Sequence, residues 1–306
     1  MLIFCREIKY GLLVLLPIMK SEIIQSLSEE LFIDEKRIED ILGALLKGDK
    51  KQIILQGPPG TGKTFIAKKI ANQLAERKDN VKIVQFHPSY GYEEFIEGLK
   101  PVTNSKGLFE FTTEPGIVLE LNKLAVKNPD QKFFLIIDEM NRGNLPKIFG
   151  EMMLLLEYRK DKMDEELDVT LQYSNTPFVL EPNIYFIGTM NTADRSIRSI
   201  DLALRRRFNF INCDPDINVL TKFYESKDNK NHLGEDLFSN FIKLNEKLEK
   251  NLDKHYRIGH SFFMHSDFTK ERFNDTWKYQ IAPLLDEYFF DDSETRDLKE
   301  FQNPFS

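Results

Sequence analysis

The sequence predicts an α/β fold, a parallel sheet core followed by a C-terminal helical lid. Three observations predict it. First, continuously apolar segments such as FFLIID (Phe133–Asp138) and IYFIGTMN (Ile184–Asn191) are separated by helical patterns, as for strands buried on both faces. Second, a glycine-rich turn, GPPGTGKT, links such a segment to an amphipathic helix. Third, beyond Cys213-Asp214-Pro215 no further buried strand is expected, and apolar residues recur at threes and fours.

Taken in order, residues 1–30 read as an N-terminal extension. The apolar run 11–19 is too short to span a bilayer and contains Pro17. Lys9 precedes it, yet no small-residue cleavage site follows, so no targeting role is assigned. The run reads either as an element packed on the core or as an extension ahead of Met19. Residues 21–46 carry a helical pattern that includes Leu27, Leu31, Ile38, Ile41 and Leu45. Residues 52–56 form a buried strand, 64–76 a helix with Ile66, Ile70 and Leu74 on one face, and 81–87 a second strand. Phe133–Asp138 and Ile184–Asn191 are the third and fourth strands. Between them lie a helix over 147–158 and a hairpin with arms 169–173 and 177–181, turning at Ser174-Asn175. Residues 233–252 and 273–290 are helical, with Pro283 kinking the second or starting a new helix. The domains are thus 1–30, an α/β core at 31–213 and a lid at 214–306.

The 306 residues carry a net charge of −7, which argues against a chain whose main business is gripping nucleic acid. Cys5 and Cys213 form neither a metal spacing nor a disulfide framework, as expected for reduced thiols in a cytoplasmic protein. His87, His255 and His260 lack metal-ligand spacing, and His260 reads as a structural histidine.

Gly57-Pro58-Pro59-Gly60-Thr61-Gly62-Lys63-Thr64 fits the phosphate-loop pattern of P-loop nucleoside triphosphatases. Its glycines let successive N–H groups turn toward phosphate oxygens, and the following helix adds its positive end. Lys63 is expected on the β- and γ-phosphates, and the Thr64 hydroxyl on Mg²⁺. Asp138 and Glu139 end the third strand beside that loop. Asp138 is expected to hold the Mg²⁺, and Glu139 to orient or deprotonate the attacking water.

Asn191 closes the fourth strand, where its amide can reach the γ-phosphate or the water, as at the sensor-1 position of AAA+ proteins. Asp194 and Arg195 follow on the same turn. The triplet Arg205-Arg206-Arg207 stands where AAA+ proteins place an arginine finger, a cation lent to a neighbouring subunit. Arg206 and Arg207 are favoured over Arg205 on position. Arg257 is a sensor-2 candidate in the lid. Tyr90, Tyr92 and Phe95 either line a pore or partner surface, or belong to an ordinary helix start.

GPPGTGKT, LIIDEMNRGNLPKIFGEMMLLLE, GTMNTADRSI and ALRRRF together resemble the McrB branch of AAA+ proteins. FHPSYGYEEFIEGLKP and YRIGHSFFM are similar to it as well, so that the resemblance covers about residues 50 to 290. It implies a hexameric ring that hydrolyses GTP with Mg²⁺ and drives DNA translocation. It implies too a McrC-like partner that carries the nuclease and stimulates turnover, in the restriction of foreign DNA. About fifty residues precede the phosphate loop, and they read as helix, so DNA recognition is expected from another chain, if at all. The residues alone leave GTP and ATP open. The alternatives are a MoxR-like, ATP-driven protein remodeller and an assembly module with negligible catalysis. No membrane partner is expected.

Overall fold

The computed structural model describes residues 21–47, 50–103, 107–159, 167–194, 202–226, 228–290, 301 and 303. The chain divides into two compact units. One is Gly43–Asp214, and the other combines Met1–Leu42 with Pro215–Ser306.

Helix α1 (21–31) stops at Phe32, whose φ of 58° lies in the left-handed region. A phenylalanine tolerates that backbone here because its ring packs edge-on against Phe223, 5.3 Å between centroids. Helix α2 (Glu35–Leu46) follows, so the pattern over 21–46 is two helices and not one.

The unit Gly43–Asp214 is built on a five-stranded sheet. Its elements in chain order are β1 (Gln52–Gly57), α3 (Lys63–Leu74), β2 (Val81–Gln85), α4 (Tyr92–Phe95), β3 (Glu97–Thr103), β4 (Phe109–Pro115) and α5 (Ile117–Lys127). Then come β5 (Phe133–Asp138), α6 (Leu145–Phe149), α7 (Met152–Glu157), β6 (Val169–Thr170), β7 (Pro177–Phe178), β8 (Ile184–Asn191), α8 (Leu202–Arg205) and β9 (Asn209–Asn212). The strand order is β2-β5-β8-β1-β9, and every pairing is parallel. Ile53, Ile54 and Leu55 of β1, the Phe133–Ile137 run of β5, and Ile184, Phe186 and Ile187 of β8 are buried. Both faces of these inner strands are covered, which is why their sequences do not alternate. The edge strand β2 leaves Ile83 45% exposed.

Three differences from the sequence reading have local causes. The helix expected over 147–158 is split into α6 and α7 at Gly150, whose φ of 48° no helical residue can hold. The hairpin β6–β7 is present but pairs only Val169 with Phe178 and Thr170 with Pro177. A longer hairpin, β3–β4, pairs Glu97–Thr103 with Phe109–Pro115, and was not predicted.

In the other unit, α9 (Ile217–Glu225) and α10 (Glu235–Asn251) precede α11 (Lys270–Thr276) and α12 (Ala282–Tyr288). A π-helical turn, Trp277–Ile281, joins the last two, and Pro283 lies in the first turn of α12. Proline has no N–H to give to the preceding turn, and the ladder shifts there. A two-residue strand pair, β10 (Lys230–Asn231) with β11 (Asp267–Phe268), is also present, with Lys230 and Asp267 exposed, so it is not a further buried strand. Among the described residues no helix is long and apolar enough to cross a membrane. The apolar run 11–19 lies outside them.

Candidate functional site

Parallel register brings three strand ends together. Gly57 of β1 pairs with Asn191 of β8, and Ile137 of β5 pairs with Gly188 of β8. The C-terminal ends of these neighbouring strands therefore share one edge, where ligands of open α/β sheets bind.

The phosphate loop leaves β1 at Gly57. A Cβ on Gly57 would stand 2.1 Å from the Cys213 carbonyl oxygen, so only glycine fits. That neighbour is fixed, because the Cys213 N–H donates to the Gln56 carbonyl at 2.6 Å. Gly62 has φ 77° and caps α3, which opens with Lys63 and Thr64. The Lys63 ammonium is buried against the loop and donates to the carbonyls of Gly57 (3.0 Å) and Pro58 (2.7 Å). Burial pulls its pKa down to about 8, against the pull of Cys213, Glu139 and Asp138. Thr61 donates to the Pro58 carbonyl at 3.1 Å and braces the turn.

Asp138 ends β5. Its Oδ1 accepts from the Thr64 hydroxyl and from the Thr189 hydroxyl, each at 2.6 Å. A serine or threonine hydroxyl beside one carboxylate is a hard-oxygen pair suited to Mg²⁺. Among the described residues there is no group of three or more His, Cys, Asp or Glu that could hold a metal. The donor set thus suits an ion shared with phosphate oxygens, not one enclosed by protein.

Glu139 follows with φ 51°, a left-handed conformation that costs a non-glycine residue about 1–3 kcal/mol. Its side chain is held on both oxygens. Asn191 Nδ2 donates to Oε1 at 2.7 Å, and Arg142 Nε to Oε2 at 3.3 Å. Arg142 also faces Asp194, at 3.5 Å. Asn141, buried, donates to the Asn191 carbonyl at 3.1 Å. Arg195 lies outside the described residues.

The arginine triplet divides. The Arg205 guanidinium sits over the Phe210 ring at 5.2 Å. Arg206 reaches Glu157 at 3.3 Å, its side chain 65% exposed. Arg207 reaches the same Glu157 oxygen at 2.8 Å and donates to the Ala203 carbonyl at 2.6 Å, its side chain 8% exposed.

Tyr92 and Phe95 are buried, Phe95 against Phe86 and Phe149, so they belong to the core and not to a pore. His260 is buried and accepts from the Asp216 N–H, with its pKa pushed down to about 4 by burial, as a structural histidine. Arg257 donates to the Lys254 carbonyl and faces Glu249.

Sequence reasoning missed Thr189, Asn141 and Arg142 as parts of the site. The signal for Thr189 was available. It stands two residues before Asn191 on one strand, hence on the same face.

Comparison with known proteins agrees with this geometry. The AAA domain (dynein-related subfamily) matches residues 52–208. The McrB alpha-helical lid domain matches residues 236–297. The Type IV methyl-directed restriction enzyme EcoKMcrB subunit of Escherichia coli (strain K12) is 42% identical over 299 residues, 92% of this chain and 63% of that protein. The Type II restriction enzyme BsuMI component YdiS of Bacillus subtilis (strain 168) is 26% identical over 200 residues, 55% of this chain and 58% of that one. With a parallel sheet, a phosphate loop and an acidic strand end in one unit, and a McrB-type lid match in the other, the chain belongs to the AAA domain family, dynein-related subfamily, and is McrB-like.

Proposed function

We propose that the chain hydrolyses GTP with Mg²⁺ in a ring of its own copies, as the motor of a restriction system whose nuclease is another chain. The observation that carries this reading is the continuous set of contacts Thr64–Asp138–Thr189 and Glu139–Asn191 at the mouth of the phosphate loop.

The loop Gly57-Pro58-Pro59-Gly60-Thr61-Gly62 wraps the phosphates, and Lys63 turns from its own carbonyls to their oxygens. Thr64 and Asp138 would hold Mg²⁺, which offsets charge on the β- and γ-phosphates. Asn191 and Arg142 fix the Glu139 carboxylate from both sides, so that it orients water or takes its proton. Asp194 steadies Arg142. An arginine of the triplet lends charge to a neighbour's site, an effect worth roughly 10³–10⁵ in rate.

GTP is the nucleotide that the McrB resemblance implies, and the lid match supports it over a MoxR-like, ATP-driven remodeller. A McrC-like nuclease is the expected partner, with DNA reached through it or through a separate recognition chain, in the cytoplasm. The test is a nucleotide panel with Mg²⁺. GTP turnover well above ATP turnover supports the reading, and a clear preference for ATP overturns it.

A further inference from the structure

We propose that Phe65 and Lys69 seat the base of the nucleotide: the Phe65 ring stacks on the purine, and Lys69 donates to O6 and N7 of guanine. This rests on the nucleotide binding proposed for the phosphate loop. It names the residues that choose between GTP and ATP, a choice that contacts to phosphate leave open.

The hydrogen-bond ladder of α3 begins with the Ile66 N–H on the Gly62 carbonyl, at 2.8 Å. The N–H groups of Lys63, Thr64 and Phe65 therefore point out of the helix end, as phosphate donors. Lys63 and Thr64 serve the β- and γ-phosphates and their Mg²⁺. Phe65, the next residue along, falls at the α-phosphate, which carries the ribose and the base. Helix α3 turns Ile66, Ala67, Ile70 and Ala71 into the core. Phe65 faces the other way, 51% exposed. A single exposed apolar residue is ordinary on a surface. An exposed aromatic ring one residue from Thr64 is a surface on which a purine can lie.

Lys69 stands one turn further along α3, with its ammonium over the Phe65 ring, 5.4 Å from the centroid. That ring face is thus open to a polar group from outside the core. Stacking on an aromatic ring tolerates every base, so Phe65 supplies affinity without choice. Choice needs a polar edge. An ammonium has three donors and no acceptor. Guanine presents two acceptors, O6 and N7, whereas adenine presents N7 beside an amino donor. When the base takes the ring face, the Lys69 ammonium moves to that edge, where guanine satisfies it and the adenine amino group opposes it.

The experiment measures equilibrium binding of GTP, inosine triphosphate, ATP and tripolyphosphate, each with Mg²⁺. The proteins are the full chain and its variants Phe65→Ala, Lys69→Met and Lys123→Met. Inosine triphosphate keeps O6 and N7 and lacks the 2-amino group, and tripolyphosphate has no base. Lys69→Met is expected to weaken GTP and inosine triphosphate roughly 10-fold and to spare ATP. Phe65→Ala is expected to weaken all three nucleotides alike, by about 10-fold. Neither changes tripolyphosphate, which a damaged phosphate loop would. Lys123→Met removes the same charge from the exposed side of α5 and changes nothing. An unchanged GTP-to-ATP ratio in Lys69→Met, or a parallel loss of tripolyphosphate in either seat variant, overturns the assignment. A wild type that binds with this selectivity yet releases no phosphate overturns the hydrolysis reading alone.

Discussion

The hydroxyl of Thr64 and the carboxylate of Asp138 meet at 2.6 Å across 74 residues of sequence, and Thr189 bonds the same carboxylate oxygen. Thr64 sits on the first turn of α3 and Asp138 at the end of β5. Their meeting is a product of strand order, with β8 inserted between β5 and β1.

Thr189 orients Asp138 without being a phosphate-loop residue. Thr189→Val keeps the shape and removes the donor. It is expected to raise the Mg²⁺ needed for half-maximal turnover by roughly 10–100-fold, as for other partners of metal ligands. A Mg²⁺ titration of turnover checks this. An unchanged half-point would show that Asp138 needs no such support.

Lys63 gives the protein a pH signature. Its folded pKa is about 8, below the 10.5 of an ordinary lysine. Between these values the unfolded chain binds the extra proton, so stability rises with pH across that window and the penalty is full below it. Nucleotide binding runs the other way, because the triphosphate requires the charged form. Affinity measured from about pH 6.5 to about pH 9 is expected to fall with a midpoint near the free-protein pKa. Lys63→Arg keeps its proton and should show no such fall. Flat affinity in the wild type would contradict a lysine whose pKa burial has lowered to about 8.

Two loop glycines should differ in kind. Gly57→Ala drives a methyl into the Cys213 carbonyl at 2.1 Å, between two strands that cannot part. Gly62→Ala meets nothing within 4 Å and pays only for φ 77°, about 1–2 kcal/mol. Denaturant unfolding should find Gly57→Ala the more damaging. Equal losses would mean that the β1–Cys213 contact is softer than drawn.

Gln52→Leu removes two buried donations, to Leu156 and Arg207. Each orphaned carbonyl costs about 1–3 kcal/mol. A fall in Tm with an unchanged fold by circular dichroism is expected. An unshifted Tm would show that neither carbonyl depends on Gln52.

The parts of the fold legible in the sequence were those whose physics is local. β5 and β8 read correctly because burial on both faces leaves continuous apolar runs. The phosphate loop read because its spacing is short and fixed. β3–β4 was missed because both arms are largely exposed, with Phe109 at 81%, and Gly98 and Pro101 interrupt the pattern. The split at Gly150 was hidden in an otherwise periodic apolar run. In the triplet, three identical residues carried no sign of which was buried. That was decided by Glu157, 49 residues before Arg206. Phe32 meeting Phe223, likewise, is a contact that no local pattern announces.

The central claim is that Glu139, held by Asn191 and Arg142, drives hydrolysis of a nucleotide gripped by Lys63. The most direct measurement is steady-state phosphate release from GTP with Mg²⁺, for wild type and Glu139→Gln, alongside nucleotide binding for both. The account predicts equal binding and a loss of turnover of roughly 10²-fold or more in the variant. Equal rates in the two proteins, or binding that survives Lys63→Ala undiminished, would contradict it.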